Sequence, residues 1–191
     1  MKTFLIGGAR SGKSSLATRW AGERSKEVCC IVTANPSDAE MQARIKAHRS
    51  ERPPHWRVRE EPMRLGEAVT EECRTGDLLL IDCLTLWTAN CLWPPTRLPV
   101  DPQPDLQADL EGWHAQRDAF LESLRKASHV GEFPRPRCQI IIVSNEVGTS
   151  LVPENAAARL FRDEQGRLNQ LVAAACDSVF LVTAGLPLAL K

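Results

Sequence analysis

The chain reads as an α/β protein in which a mostly parallel sheet is flanked by helices on both faces. Three observations predict it. Short apolar runs rich in Val, Ile and Leu recur along the sequence, as strands covered on both faces require. Helical stretches separate these runs, and such alternation yields parallel strands joined by crossover helices. The first apolar run leads into Gly7-Gly8-Ala9-Arg10-Ser11-Gly12-Lys13-Ser14, a Gly-rich turn that opens a helix.

Taken in order, the first strand is expected at Thr3 to Ile6, and a helix follows from Lys13 to about Glu23. Further strands are expected at Val28–Thr33, Asp77–Asp82, Gln139–Ser144 and Ser178–Val182. Helices are expected at about Asp38–Ser50, Leu65–Cys73, Leu84–Leu92, Asp105–Lys126 and Glu154–Ala175. The segment Trp93–Pro104 carries five prolines and reads as a loop. A second irregular stretch is His129–Arg137. The two flank the helix 105–126, which reads as part of a peripheral insertion at about 94–136. The 191 residues suit a single domain, 1–191, with a substantial core and no internal repeat.

Composition narrows the classes of function. The net charge is zero, so no broad surface for nucleic acid or membranes is expected. No apolar run approaches the roughly 18 residues of a membrane span, and the apolar N-terminal stretch reads as a strand, not a signal peptide. Seven cysteines form no CxxC pair, and most lie in apolar runs such as Val28-Cys29-Cys30-Ile31-Val32. They read as buried reduced thiols of a cytoplasmic protein, not as a disulfide framework or a zinc site.

Residues 7–14 fit GxxxxGK[ST], the phosphate-binding loop, with a strand before it and a helix after it. Gly7 and Gly12 can take positive φ and let the backbone close round an anion. Successive N–H groups and the helix N-terminus then face a β-phosphate. Lys13 is expected to reach the β- and γ-phosphates, and the Ser14 hydroxyl to ligate Mg²⁺. Leu78-Leu79-Leu80-Ile81-Asp82 is an apolar strand ending in an acid, which in such proteins holds the metal beside the loop; the alternative is a helix cap. Asn145 and Glu146 end another strand, where polar groups line the crevice of open α/β sheets; the alternative is a tight turn. Arg159 and Arg162 share a helix face. They suit either charge neutralisation on a transferring phosphoryl group or a solvated face.

Glu40, Arg44 and His48 are spaced i, i+4, i+8 and fall on one face of the expected helix 38–50. A neutral imidazole is a competent nucleophile toward phosphorus, although a lone helical His is usually without function. The residues alone therefore lead to a small-molecule kinase with a possible phosphohistidine.

The motifs together resemble a known family. GGARSGKS (7–14), Thr33-Ala34, Asp38-x-Glu40-Met41-x-x-Arg44-Ile45-x-x-His48-x-x-x-Arg52-Pro53-x-x-Trp56, LLIDCLTLW (79–87), SNEVG (144–148), VPEN (152–155) and RLFRDEQGRLNQ (159–170) look like adenosylcobinamide kinase/adenosylcobinamide-phosphate guanylyltransferase. The likeness runs from residue 2 to Gly185-Leu186-Pro187-Leu188 and weakens only across 94–136. It implies a P-loop NTPase, RecA-like fold and a bifunctional enzyme of cobalamin nucleotide-loop assembly. The first reaction phosphorylates adenosylcobinamide with ATP or GTP. The second transfers GMP from GTP to adenosylcobinamide phosphate through a guanylyl-histidine, giving adenosylcobinamide-GDP and pyrophosphate. The matching histidine is His48, with Lys13 the second catalytic residue. Implied nucleotide contacts are Gly7, Gly8, Ala9, Arg10, Ser11, Gly12, Lys13, Ser14, Val32, Thr33, Ala34, Arg49, Ser50, Glu51, Arg52, Glu60 and Asp82, with Ser14 and Asp82 on Mg²⁺. A homotrimer is also implied.

Two other classes stand against this expectation. A P-loop kinase for a small metabolite would form no covalent nucleotide, and the block His48–Trp56 counts against it. A nucleotide switch of the Ras-like type would carry NKxD for guanine, which the sequence lacks.

Overall fold

The computed structural model describes residues 1–35, 52–74, 78–94, 108–127 and 138–191. Among them the chain order is β1 (Lys2–Gly7), α1 (Lys13–Arg24), β2 (Val28–Val32), β3 (Arg57–Glu60), α2 (Leu65–Glu72), β4 (Leu78–Asp82), α3 (Leu84–Leu92), α4 (Leu110–Lys126), β5 (Gln139–Asn145), α5 (Ala156–Ala175), β6 (Ser178–Thr183) and β7 (Leu186–Ala189). The expected helix 38–50 lies outside the described residues. One sheet runs β3-β2-β4-β5-β1-β6-β7. Every neighbouring pair is parallel except β6–β7.

Side-chain alternation along the strands builds two cores. Phe4, Cys29, Ile31, Leu79, Ile81, Ile140 and Ile142 face α2, α3, α4 and α5. Leu5, Cys30, Leu78, Leu80, Ile141 and Val143 face the other way, against Leu16, Ala17 and Ala21 of α1 and against Trp56. Because the strands are parallel, their carboxyl ends share one edge. The register sets Gly7 opposite Asn145, and Val32 opposite both Asp82 and Glu60. That edge is where open α/β sheets bind ligands.

Two strands exceed the expectation. β3 is a charged edge strand, tied to α2 by Arg57–Glu72 at 2.8 Å and Arg59–Glu71 at 2.7 Å. β7 is the opposite edge. Ala184 (φ 52°) and Gly185 (φ 78°) make the two-residue hairpin turn into it, both with the positive φ that a type I′ turn needs.

Two helices start later than expected. Asp109 caps α4, its carboxylate accepting from Gly112 N–H, and Asn155 caps α5 by accepting from Ala158 N–H. The described part of the expected insertion is also no peripheral element. Trp113, Phe120 and Leu124 of α4 are fully buried. Trp87 meets Trp113 and Phe120 edge-on at 5.2 Å, and the Trp113 indole N–H donates to Glu164 at 2.8 Å. Trp113→Ala is therefore expected to cost about 3–5 kcal/mol in urea unfolding. A loss below about 1 kcal/mol would return α4 to the periphery.

None of the seven cysteines is in a disulfide. Burial pushes the Cys30 and Cys176 thiols up to about 12. Among the described residues no helix is long and apolar enough to cross a membrane.

Candidate functional site

The loop between β1 and α1 owes its shape to two different uses of glycine. Gly12, at φ 90°, is left-handed and passes the chain into α1, whose first turn closes with Leu16 N–H on Gly12 O at 3.0 Å. Gly7 takes no positive φ, contrary to the expectation. It is glycine because a Cβ there would stand 2.3 Å from Val182 O of β6. The other left-handed residue of the loop is Arg10, at φ 56°. The β6–β7 turn braces the loop from outside: Gly185 N–H donates to Ser11 O at 2.8 Å, and Gly185 Cα would lie 3.0 Å from a Cβ on Gly12. The Ser11 hydroxyl is buried without a hydrogen-bond partner.

Lys13 begins α1 and is only 7% exposed. Its ammonium donates to Gly8 O at 3.0 Å. Burial lowers its pKa from the usual lysine value, against the opposing pull of Cys83 and Asp82. A desolvated cation at a helix N-terminus, beside the exposed Gly8, Ala9 and Arg10, suits an anionic ligand.

Asp82 ends β4 at the centre of the carboxyl edge. Its Oδ1 accepts from the Ser14 hydroxyl at 3.3 Å, and its Oδ2 meets Arg52 Nη2 at 3.0 Å. The helix-cap alternative is not what the side chain does: Cys83 is the residue before α3, and no side-chain hydrogen bond caps that helix. The Asp82–Cys83 peptide is cis. Thr33, fully buried, holds the turn that follows Asp82, donating to Cys83 O at 2.6 Å and accepting from Cys83 N–H at 3.1 Å. The Ser14 hydroxyl and the Asp82 carboxylate are hard oxygen donors from neighbouring elements, a donor set that fits Mg²⁺.

The rim beyond β5 is built mainly for shape. Ser144, Gln165 and Asn169 form a buried cluster: Ser144 Oγ to Asn169 Oδ1 is 2.8 Å, and Gln165 Nε2 to Ser144 Oγ is 2.9 Å. Asn169 Nδ2 donates to Asn145 O at 3.0 Å, and Asn145 N–H donates to Thr85 Oγ1 at 2.8 Å. The end of β5 is thus pinned between α3 and α5. Glu146 accepts from Gly148 N–H, so its carboxylate serves the turn. Arg159 donates to Pro153 O at 3.0 Å and Arg162 to Gly148 O at 2.6 Å. These arginines share a face, as expected, and use it on the loop's own carbonyls.

The structure gathers Gly7–Ser14, Asp82 and Arg52 in one place. Glu60 is exposed at the carboxyl end of β3, one strand beyond β2. Val32 and Thr33 are buried, and Ala34 is half-buried. His48, Arg49, Ser50 and Glu51 lie outside the described residues. Sequence reasoning did not find Thr85, Gln165 or the bracing turn 184–185. Gln165 and Asn169 are one helical turn apart, a polar pair that the structure buries on the sheet side of α5.

The cobinamide kinase / cobinamide phosphate guanyltransferase family matches residues 3–190. Similar proteins include the bifunctional adenosylcobalamin biosynthesis protein CobP of Pseudomonas aeruginosa, 44% identical over 191 residues, which are 100% of this chain and 98% of that one. The bifunctional adenosylcobalamin biosynthesis protein CobU of Escherichia coli K12 is 37% identical over 191 residues, 100% of both chains. Among solved structures, the assembled ATPase EscN of the enteropathogenic E. coli type III secretion system matches with a TM-score of 0.56 at 12% identity, over 96% of this chain and 43% of that chain. That likeness shows the fold alone, a mostly parallel sheet flanked by helices.

Proposed function

The chain belongs to the cobinamide kinase / cobinamide phosphate guanyltransferase family, and from that membership we propose that it catalyses both reactions in adenosylcobalamin biosynthesis. It phosphorylates adenosylcobinamide with ATP or GTP and then transfers GMP from GTP to the new phosphate. The observation that carries the reading is the grouping of Lys13, Ser14 and Asp82 at the carboxyl edge, with Ser14 and Asp82 in direct contact.

In the kinase step, the loop N–H groups and Lys13 hold the β- and γ-phosphates. The substrate hydroxyl attacks the γ-phosphorus in line, the bond from the γ-phosphorus to the β–γ bridging oxygen breaks, the nucleoside diphosphate leaves, and the hydroxyl proton passes to solvent. In the guanylyl step, a neutral His48 nitrogen attacks the α-phosphorus of GTP and pyrophosphate leaves. A phosphate oxygen of adenosylcobinamide phosphate then displaces the imidazole, giving adenosylcobinamide-GDP. Mg²⁺, held by Ser14 and Asp82, would supply charge neutralisation on the phosphates. Arg52 follows His48 by four residues and is anchored at Asp82.

The reading includes a cytoplasmic homotrimer. An apolar surface available to subunit contacts lies on the β7 edge, where Leu186 and Leu188 are 71% and 61% exposed. The decisive experiment is incubation with α-³²P-GTP and Mg²⁺, denaturation and peptide mapping. Acid-labile, base-stable label is expected on the peptide that contains His48. No label, with kinase turnover on adenosylcobinamide intact, would reduce the function to the kinase alone.

A further inference from the structure

Arg52 holds the carboxylate that a divalent cation would need. The pair is sheltered, with the Arg52 side chain 9% and the Asp82 side chain 16% exposed. An ion pair so removed from water is costly to break by deleting one partner, unlike a surface pair. Asp82 divides its oxygens between two donors: Oδ1 takes the Ser14 hydroxyl and Oδ2 takes Arg52. A divalent cation held by Ser14 and Asp82 would draw on the same oxygens. A dication and a guanidinium crowded on one carboxylate repel each other.

The chain also shows what is free to change. Trp56, four residues after Arg52, is 7% exposed and packs in the α1 core, and its N–H donates to Pro53 O at 3.1 Å. The backbone beside Arg52 is thus tied down on its C-terminal side. A long side chain remains to exchange one acceptor for another. A triphosphate offers what a planar guanidinium binds best, paired anionic oxygens.

We propose that Arg52 is a positioning residue with two successive acceptors: it is the counter-ion of Asp82 in the nucleotide-free protein, and it turns to the triphosphate once a divalent cation occupies that carboxylate. Arg52 thereby disfavours metal without nucleotide and favours metal with it. The inference rests on the proposed function's assignment of Asp82 to the metal.

The test uses the full chain and two probes, Mn²⁺ alone and Mn²⁺ with GTP, read by electron paramagnetic resonance of free Mn²⁺ and by isothermal titration. Arg52→Gln is expected to move the two in opposite directions. Affinity for Mn²⁺ alone rises by on the order of tenfold, because the competing cation is gone. Affinity for GTP with Mn²⁺ falls by on the order of tenfold, because a charge-assisted contact is lost. Arg52→Lys, which keeps the charge without the fork, should shift both in the same directions by less, and it serves if the glutamine variant does not fold. Asp82→Asn should abolish the gain in Mn²⁺ binding. A loss of GTP affinity with no change for Mn²⁺ alone would make Arg52 a plain phosphate ligand and overturn the exchange. A gain for Mn²⁺ alone with unchanged GTP affinity would make the ion pair merely structural and overturn it too. A wild-type chain that binds no GTP with Mn²⁺ would sink the proposed function as well; binding by the wild type with either of the other patterns sinks this inference only.

Discussion

Lys13→Ala is expected to lower both kinase and guanylyl turnover by on the order of 10²–10³-fold, because in the proposed mechanism both reactions break a bond to a phosphate that this ammonium neutralises. The starting state explains the size of the effect. Lys13 is 7% exposed and bonded to a single carbonyl, Gly8 O. Its charge is already stripped of most water, so a phosphate gains a strong partner at little further desolvation cost. The loop should survive the substitution, since Gly12, Gly185 and the Ser11 backbone hold its shape without the lysine side chain. An unchanged circular dichroism spectrum with full kinase turnover would contradict the loop assignment. The same burial has a pH signature. Burial holds the Lys13 pKa below the ordinary lysine value, so the free enzyme loses this proton at lower pH than an exposed lysine would. A bound triphosphate favours the ammonium, so affinity falls as pH rises through the lowered pKa, and binding takes up protons there. Titrations in two buffers of different ionisation enthalpy measure that uptake.

The parts of the fold legible in the sequence were those set by local pattern. The β1–loop–α1 unit announces itself through a fixed motif, and β2, β4 and β5 through apolar runs that the sheet buries on both faces. The parts that escaped depend on partners far along the chain. Arg57-Val58-Arg59-Glu60 has one apolar residue and no periodicity. It is a strand because its backbone pairs with β2 and its arginines meet acids of α2. Leu186-Pro187-Leu188-Ala189 carries a proline that argues against a central strand and is harmless at an edge. The proline-rich flanks of α4 suggested a peripheral insertion, yet Trp113, Phe120 and Leu124 keep the helical spacing of a core stripe. At the site, the motifs pointed to Lys13, Ser14 and Asp82 individually. The Arg52–Asp82 pair and the grip of Gly185 on Ser11 join residues distant in sequence, and no local pattern encodes either contact.

His48→Ala is expected to separate the two activities. Guanylyl transfer should fall by more than about 10³-fold, the scale on which removing a covalent nucleophile acts. The kinase step should persist, because in the proposed mechanism its nucleophile is the substrate's own hydroxyl and its phosphates are held by Lys13 and the loop N–H groups. Ser14 and Arg52 hold Asp82 through their own side chains. The substitution therefore leaves the loop, the carboxylate and their shared geometry in place. Two assays on one preparation decide the matter: phosphorylation of adenosylcobinamide with γ-³²P-ATP, and formation of adenosylcobinamide-GDP from chemically prepared adenosylcobinamide phosphate and GTP. Feeding the second reaction its own substrate removes any dependence on the first. If both rates fell together while the protein stayed folded, His48 would be a structural or shared residue and the covalent route would lose its nucleophile. If neither fell, the transfer would have to be a direct attack of the substrate phosphate on GTP. In that case the loop and Asp82 would serve both reactions, with the γ-phosphorus presented to the corrinoid in the first and the α-phosphorus in the second.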